Sequence, residues 1–357
     1  MSDSTGGAVT VDAAGAHASS RFAADVEFAR AIAVEAGRIQ LERYERVESI
    51  EFKSAKDVVT EVDHLCEKLI LDAIRDRFPG DGILAEESGA HQAPGAHGRP
   101  GEGSDKAGEA VARSLSSGRT WIVDPLDGTV NYANAIPFFC VSVALIVDGV
   151  SAAGAIHDPM RGETFSAVAD GAAWLSTDTR GTVEIRASQK DELKDWVVHL
   201  ALSGRAVASR VSAVRRATRV SRTMGSSALA LAYVANGRFD AFVQSGGMSA
   251  WDVAAAGLIA ERAGAIVTDS VGGPWFDVAK ATSAFGVCAA APSHHAEMLR
   301  LSGQPRKGHG HPARVETLGP RAHGRWRAGE AVQQENAGRA TDGLVRLGVR
   351  KNRHRVS

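Results

Sequence analysis

An apolar strand that runs directly into paired carboxylates constrains this chain more than any other stretch: Trp121-Ile122-Val123-Asp124-Pro125-Leu126-Asp127-Gly128-Thr129-Val130-Asn131. Two aspartates three residues apart on a tight turn, with a backbone carbonyl between them, suit a hard divalent cation such as Mg²⁺, which takes oxygen ligands. Pro125 stiffens the turn. Gly128 lets backbone amides come close to a ligand, as anion-binding nests require. The stretch reads as a place where metal and phosphate meet. The plain alternative is a β-turn in which Asp, Pro and Gly do turn chemistry.

Other acidic blocks favour the metal. Ala85-Glu86-Glu87-Ser88 closes the short apolar run Gly82-Ile83-Leu84. Asp63 follows Lys53-Ser54-Ala55-Lys56-Asp57-Val58-Val59-Thr60-Glu61-Val62 at the start of a helix. Trp251-Asp252 opens an Ala-rich helix, where an Asp standing alone would be a cap or dipole partner. Other chemistries find no footing. His157, His199, His294 and His295 show no metal spacing with the acidic blocks, and neither a Gly-x-Ser-x-Gly elbow nor a Cys/His pairing is present. Cys66, Cys140 and Cys288 are odd in number and form no CxxC pair, so neither a disulfide framework nor a zinc site is expected.

With 357 residues, 44% hydrophobic and 23% charged, the chain has the composition of a soluble globular enzyme. Residues 1–21 are expected to be a disordered tail, lacking the basic and apolar regions of a leader. No apolar run reaches membrane-spanning length, so a cytoplasmic protein is expected. A domain from 22 to 302 follows, with a flexible Gly/Ala/His/Pro-rich insert at 89–118. The total charge is −1, but residues 302–357 hold twelve Lys+Arg against four Asp+Glu, leaving −9 for the rest. That basic tail, taken from 303, is too poor in apolar residues to offset its ordering entropy. It allows a second reading of another class, a protein that binds RNA or an acidic partner through the tail.

Helical periodicity is predicted over Phe22–Val47 and Asp63–Phe78. From Phe138 the pattern turns to antiparallel strands: Phe138–Val147, Ser151–Ile156, Glu163–Ala169 and Gly171–Leu175. A helix from Ser226 to Asn236, a strand from Asp240 to Gln244, a helix from Trp251 to Ala263, and strands near Ala265–Thr268 and Gly286–Ala290 complete a layered α and β order.

The acidic blocks, in this order, resemble the inositol monophosphatase family of the Mg²⁺-dependent, lithium-sensitive phosphatase superfamily. The likeness runs from about Phe22 to Leu301, and its most specific parts are Asp124-Pro-Leu-Asp-Gly-Thr129 and Trp251-Asp252-Val253-Ala254-Ala255-Ala256-Gly257. The resemblance implies an α-β-α-β-α sandwich of the inositol monophosphatase or fructose-1,6-bisphosphatase type, assembled as a homodimer. It implies a first Mg²⁺ on Glu86, Asp124 and the carbonyl of Leu126, a second on Asp124, Asp127 and Asp252, and a third, weaker ion leaning on Glu86. It further implies an attacking water near Thr129, whose hydroxyl Asp63 orients. Phosphate would lie on the amides of Gly128 and Thr129, Lys53 would add charge, and Glu87 would stand behind Glu86.

Substrate is open on sequence. Val130-Asn131-Tyr132 is similar to the branch acting on a small polyol phosphate, with inositol 1-phosphate first. Histidinol phosphate, fructose 1,6-bisphosphate and adenosine 3′,5′-bisphosphate are the alternatives. The Gly225-Ser226-Ser227-Ala228 stretch is expected to line the substrate pocket. Family members often carry a Glu seven residues before the Asp of Trp-Asp, and Ser245 stands there instead, with Gln244 able to substitute after a one-residue shift.

Overall fold

Strand β7 (Cys140–Val147) has two apolar faces: Val141, Val143 and Leu145 join one buried cluster, and Cys140, Ala144 and Ile146 join another. Successive side chains of a strand point to opposite faces, so a strand apolar on both must be covered on both. Layers follow from that. The computed structural model describes residues 10–11, 15–54, 57–91, 118–277 and 285–303, all within one unit spanning residues 1–307.

Among the described residues the larger sheet has nine strands. In chain order these are β1 (Thr10–Val11), β4 (Gly82–Ala85), β5 (Gly89–His91), β6 (Arg119–Asp127), β7, β8 (Val150–Asp158), β9 (Glu163–Val168), β10 (Ala173–Thr177) and β11 (Gly181–Glu184). Their spatial order is β1-β11-β10-β9-β8-β7-β6-β4-β5. Among the described residues of this sheet only β4 and β6 pair in parallel, and β7 to β10 form the meander that the alternation predicts. The smaller sheet comprises β12 (Val197–Ala201), β13 (Val220–Arg222), β14 (Ala241–Met248), β15 (Ile266–Asp269) and β16 (Phe285–Ala290), in the order β13-β12-β14-β16-β15.

Helices α1 (Ala23–Arg43) and α2 (Glu61–Arg77) cover one face of the large sheet through Val26, Ala29, Ala33, Cys66, Ile70 and Ile74. Helices α5 (Ser227–Ala235) and α6 (Ala250–Arg262) lie between the sheets, in a cluster with Ile122, Ile146 and Ile156 on one side and Phe242, Phe285 and Val287 on the other. Both helices are apolar nearly all round, as a helix enclosed on two sides must be. Small residues let α6 approach closely: a Cβ added at Gly154 of β8 would lie 2.8 Å from Ala255 Cα. Helices α4 (Val207–Ala217) and α7 (His295–Ser302) cover the outer face of the small sheet through Val214 and Met298. The result is the α-β-α-β-α sandwich.

Several short elements escaped the sequence pattern. Strands β2 (Ile50–Ser54) and β3 (Asp57–Thr60) pair as a separate hairpin, and β12, α4, β13 and α7 are likewise additions. Two stretches expected to be unstructured contribute to the large sheet. Thr10–Val11 pairs with the edge strand β11, and His17 is buried with Nε2 3.1 Å from Ser166 Oγ. Gly89, at φ +75°, reverses the chain so that Gly89–His91 returns along β4. The remainder of the insert, 92–117, and the basic tail from 304 onward lie outside the described residues. Among the described residues no helix is long and apolar enough to cross a membrane.

Candidate active site

The paired aspartates sit on a bulge, not on a free turn. Asp124 pairs with Ser142 and Asp127 with Cys140, so β6 carries one residue more than β7 over this span. Pro125 is tolerated there because a bulge leaves a residue out of the ladder. Two hydrogen bonds fix the bulge from below: Gln40 Nε2 donates to the Pro125 carbonyl at 2.7 Å, and Tyr132 donates its hydroxyl to the Gln40 carbonyl at 2.7 Å. Leu126 N–H caps Asp124 Oδ1 at 3.0 Å. Gly128 then turns the chain at φ +98°, where a Cβ would lie 3.1 Å from both Phe138 O and Ser226 Cβ. Both the left-handed backbone and the crowding require glycine. Helix α3 (Thr129–Ala133) starts immediately after it.

Asp127 reaches across to the N-terminus of α5. Its Oδ2 accepts the Ser226 hydroxyl and the Ala228 N–H, the latter at 2.7 Å, and its Oδ1 accepts the Ser227 N–H at 3.3 Å. An anion at a helix N-terminus satisfies orphan amides and meets the positive end of the dipole. Asp63 and Asp252 are each the third residue of a helix and fold back on its N-cap. Thr60 N–H donates to Asp63 Oδ2 at 2.8 Å, and Ser249 N–H donates to Asp252 Oδ2 at 2.6 Å. Capping fixes both rotamers. The other oxygen of Asp63 lies 3.1 Å from Thr129 Oγ1, which is also 3.0 Å from the Leu126 carbonyl.

Asp124, Asp127 and Asp252 thereby converge, with one carboxylate oxygen of each within 4.8 Å of the others. Burial, then the charges of Glu86, Asp127 and Asp252, hold the Asp124 carboxyl well above its ordinary range. Burial and Asp127 do the same to Asp252. Asp127 is raised by burial, against the pull of its α5 hydrogen bonds. Burial, and then Glu87 against the pull of Lys53, push Glu86 up to about 7. Lys53 Nζ lies 2.5 Å from Glu87 Oε1 and 3.3 Å from Glu86 Oε1. Burial alone would lower the Lys53 pKa, but these two acids raise it. So many buried carboxylates of one sign are stable together when a cation is shared among them.

Glu86, Asp63, Asp124, Leu126, Asp127, Gly128, Thr129 and Asp252 are thus drawn to one place. Lys53 and Glu87 join them as a paired base and acid. Ser226 differs from expectation: it is fully buried, and its hydroxyl serves Asp127 instead of facing a pocket. The amides of Ser227 and Ala228 are turned the same way. Ser245 also differs, because its hydroxyl accepts the Ser203 N–H at 2.9 Å. Gln244 is the side chain joined to Ser227, Oε1 to Oγ at 3.3 Å, ahead of a register shift between Gln244 and Met248. Sequence reading gave no role to Thr60 or Glu67, and it took Asn131 as a branch signature without its bracing contacts. Glu67 Oε2 accepts the Glu87 N–H at 2.9 Å, and Asn131 Nδ2 lies 2.7 Å from Phe138 O and 2.8 Å from Met224 O. Thr60-x-x-Asp63 and Ser249-x-x-Asp252 are variants of the capping-box pattern, a signal that was available.

The model of the inositol monophosphatase family matches residues 23–304. The chain belongs to this family. It is 33% identical over 249 residues to the protein named Nus factor SuhB of Pasteurella multocida, covering 67% of this chain and 82% of that one. It is 32% identical over 237 residues to the fructose-1,6-bisphosphatase/inositol-1-monophosphatase of Thermotoga maritima, covering 66% and 81%. Among solved structures, the extragenic suppressor protein SuhB of Bartonella henselae superposes with a TM-score of 0.66 at 28% identity, covering 79% of this chain and 99% of that one. Inositol monophosphatase family members are metal-dependent phosphatases, and the acidic cluster is compatible with that chemistry.

Proposed function

We propose that this chain is a Mg²⁺-dependent phosphomonoesterase acting on a small polyol phosphate, with inositol 1-phosphate as the first candidate. The observation that carries the reading is the Asp63–Thr129–Leu126 array set beside the convergent Asp124, Asp127 and Asp252. Buried oxygen donors without imidazole or thiolate among them fit a hard divalent cation. Glu86, Asp124 and the Leu126 carbonyl would hold one ion, Asp124, Asp127 and Asp252 a second, and Glu86 a weaker third. When bound, these ions neutralise phosphate charge, acidify a water and stabilise the leaving oxygen.

The chain's own groups do the rest. Thr129 and Asp63 form a relay that accepts a proton from the attacking water, with Asp63 fixing the direction of the Thr129 hydroxyl. Backbone N–H groups of Gly128 and Thr129 receive the phosphate oxygens, at a turn that only glycine fits. Asp127 is kept in place by α5 and has few orientations to search. Ser227 and Gln244 offer a neutral hydroxyl and amide to the polyol, in place of a carboxylate.

Both activities in the name of the Thermotoga maritima relative are compatible with this site. Phosphate release should be measured with Mg²⁺ from inositol 1-phosphate, fructose 1,6-bisphosphate, histidinol phosphate and adenosine 3′,5′-bisphosphate. Highest kcat/KM on inositol 1-phosphate, with inhibition by millimolar Li⁺, supports the reading. Release from none of the four refutes it. A cytoplasmic homodimer belongs to the same proposal, and sedimentation of the full chain as a monomer would remove the dimer from it.

A further inference from the structure

Gln40, in the last turn of α1, is fully buried. Among the described residues its Oε1 has no hydrogen-bond partner, a cost that an apolar side chain of the same size would avoid. The amide is explained by its other end, where Nε2 donates to the Pro125 carbonyl at 2.7 Å. That carbonyl belongs to the Pro125–Leu126 peptide, whose N–H caps Asp124 Oδ1 at 3.0 Å. A peptide group is planar, so its two ends turn together. Held at both, it keeps the Asp124 carboxylate in one direction, and the next carbonyl along, that of Leu126, meets Thr129 Oγ1 at 3.0 Å.

Gln40 is anchored in turn. Its backbone carbonyl is among the last four of α1, which lack intrahelical partners, and it accepts the Tyr132 hydroxyl at 2.7 Å. The Tyr132 ring packs on Tyr44 and Phe139, with centroids 5.6 and 4.9 Å away. One helical residue therefore grips the acidic segment on both sides, at Pro125 before Asp127 and at Tyr132 after Thr129. We propose that Gln40 is a positioning residue for the metal-holding bulge: by fixing the Pro125–Leu126 peptide it orients Asp124 and the Leu126 carbonyl, and so sets how tightly the site takes a divalent cation. The proposal rests on the metal-dependent reading above and adds a residue that acts on the acids only through the backbone. Without the Nε2 donor the buried Pro125 carbonyl is stranded and its peptide turns toward another partner. The Leu126 N–H turns with it, and Asp124 loses its cap.

The test uses the full chain and Mn²⁺ alone, titrated by the loss of the free-ion paramagnetic resonance signal, with no substrate present. Gln40→Met, similar in volume but without the donor, should weaken Mn²⁺ binding about tenfold. Tyr132→Phe keeps the ring contacts, frees only the Gln40 carbonyl and should weaken binding about threefold, so the proposal stays testable if the first variant folds poorly. Val26→Ala, which loosens α1 without touching Pro125, should melt earlier yet bind Mn²⁺ within about twofold of wild type. With saturating Mg²⁺, kcat of Gln40→Met should fall by more than KM rises. Mn²⁺ affinity within about twofold of wild type in Gln40→Met, or unchanged in Tyr132→Phe, would overturn the proposal. So would an equal weakening in Val26→Ala, which would reduce the effect to general loosening. Failure to hydrolyse any phosphate ester while the Mn²⁺ differences hold would count against the catalytic reading alone. Absence of Mn²⁺ binding in wild type would sink both.

Discussion

Replacing Asp124 with Asn should stabilise the metal-free protein while removing its response to metal. The carboxyl is buried, 1% exposed, and faces Glu86, Asp127 and Asp252. With one oxygen each of Asp124, Asp127 and Asp252 within 4.8 Å of the others and an effective dielectric of about 20, each fully ionised aspartate pair costs on the order of 3.5 kcal/mol. Proton uptake relieves part of that repulsion, so about 1–3 kcal/mol remains to be regained. Asparagine is nearly isosteric, its carbonyl keeps the Leu126 N–H, and its amide donates to Glu86. In excess chelator at pH 8 the variant should melt about 2–5 °C above wild type, since an unfolding entropy of about 2.1 cal/mol/K per residue over about 280 residues gives about 1.7 °C per kcal/mol. Added Mg²⁺ should raise the wild-type midpoint, by about 2.7 kcal/mol of stabilisation at a hundredfold excess over Kd, and leave the variant almost unmoved. A variant less stable than wild type in chelator, or one stabilised equally by Mg²⁺, would refute the claim that these acids are gathered for a cation.

Thr129→Val removes the hydroxyl shared between Asp63 and the Leu126 carbonyl; kcat should fall about 10²–10⁴-fold with a smaller change in KM, and a kcat within threefold of wild type would exclude the relay. Gly128→Ala forces a left-handed alanine against Phe138 O and Ser226, costing about 2–4 kcal/mol in strain and overpacking, to be read by thermal unfolding; an unchanged midpoint would mean that the bulge relaxes freely. His199, buried and stacked on Phe242 at 4.6 Å, has its pKa lowered to about 4 by burial. The unfolded chain takes up this proton near pH 6.5, so the contribution is intact above that pH and is lost as pH falls toward 4, by up to about 1.4 kcal/mol per pH unit. His199→Phe should therefore gain on wild type in urea unfolding between pH 7 and 5, and parallel curves would contradict the shift.

Much of this architecture was legible because burial and period speak locally. The four-strand meander from Phe138 and the buried helices at Ser226 and Trp251 are long and regularly patterned. The hairpin at Ile50–Thr60 was not legible, since its strands have little core to face and Phe52 points to solvent. Neither was the pairing of Thr10–Val11, which depends on partners as remote in sequence as Thr182 and Val183. Within the site, the residue types of Asp124, Asp127 and Asp252 declared themselves, but their support did not. That Ser226 and two α5 amides would be consumed by Asp127 is a tertiary fact, as is the choice of Gln244 over Ser245 at Ser227, which is set by a bulge in β14. Lys53 was expected to bring charge to the site, but its seat on Glu87 is set by the hairpin and could not be read locally.

The most direct measurement is phosphate release from inositol 1-phosphate by the full chain with Mg²⁺, with excess chelator, and after Mg²⁺ is restored, alongside Asp127→Asn. The proposed function predicts turnover only with metal, full recovery on adding it back, and a loss of at least about 10²–10³-fold in the variant, whose amide cannot supply the charge. Undiminished turnover in Asp127→Asn, or full activity in chelator, would contradict it.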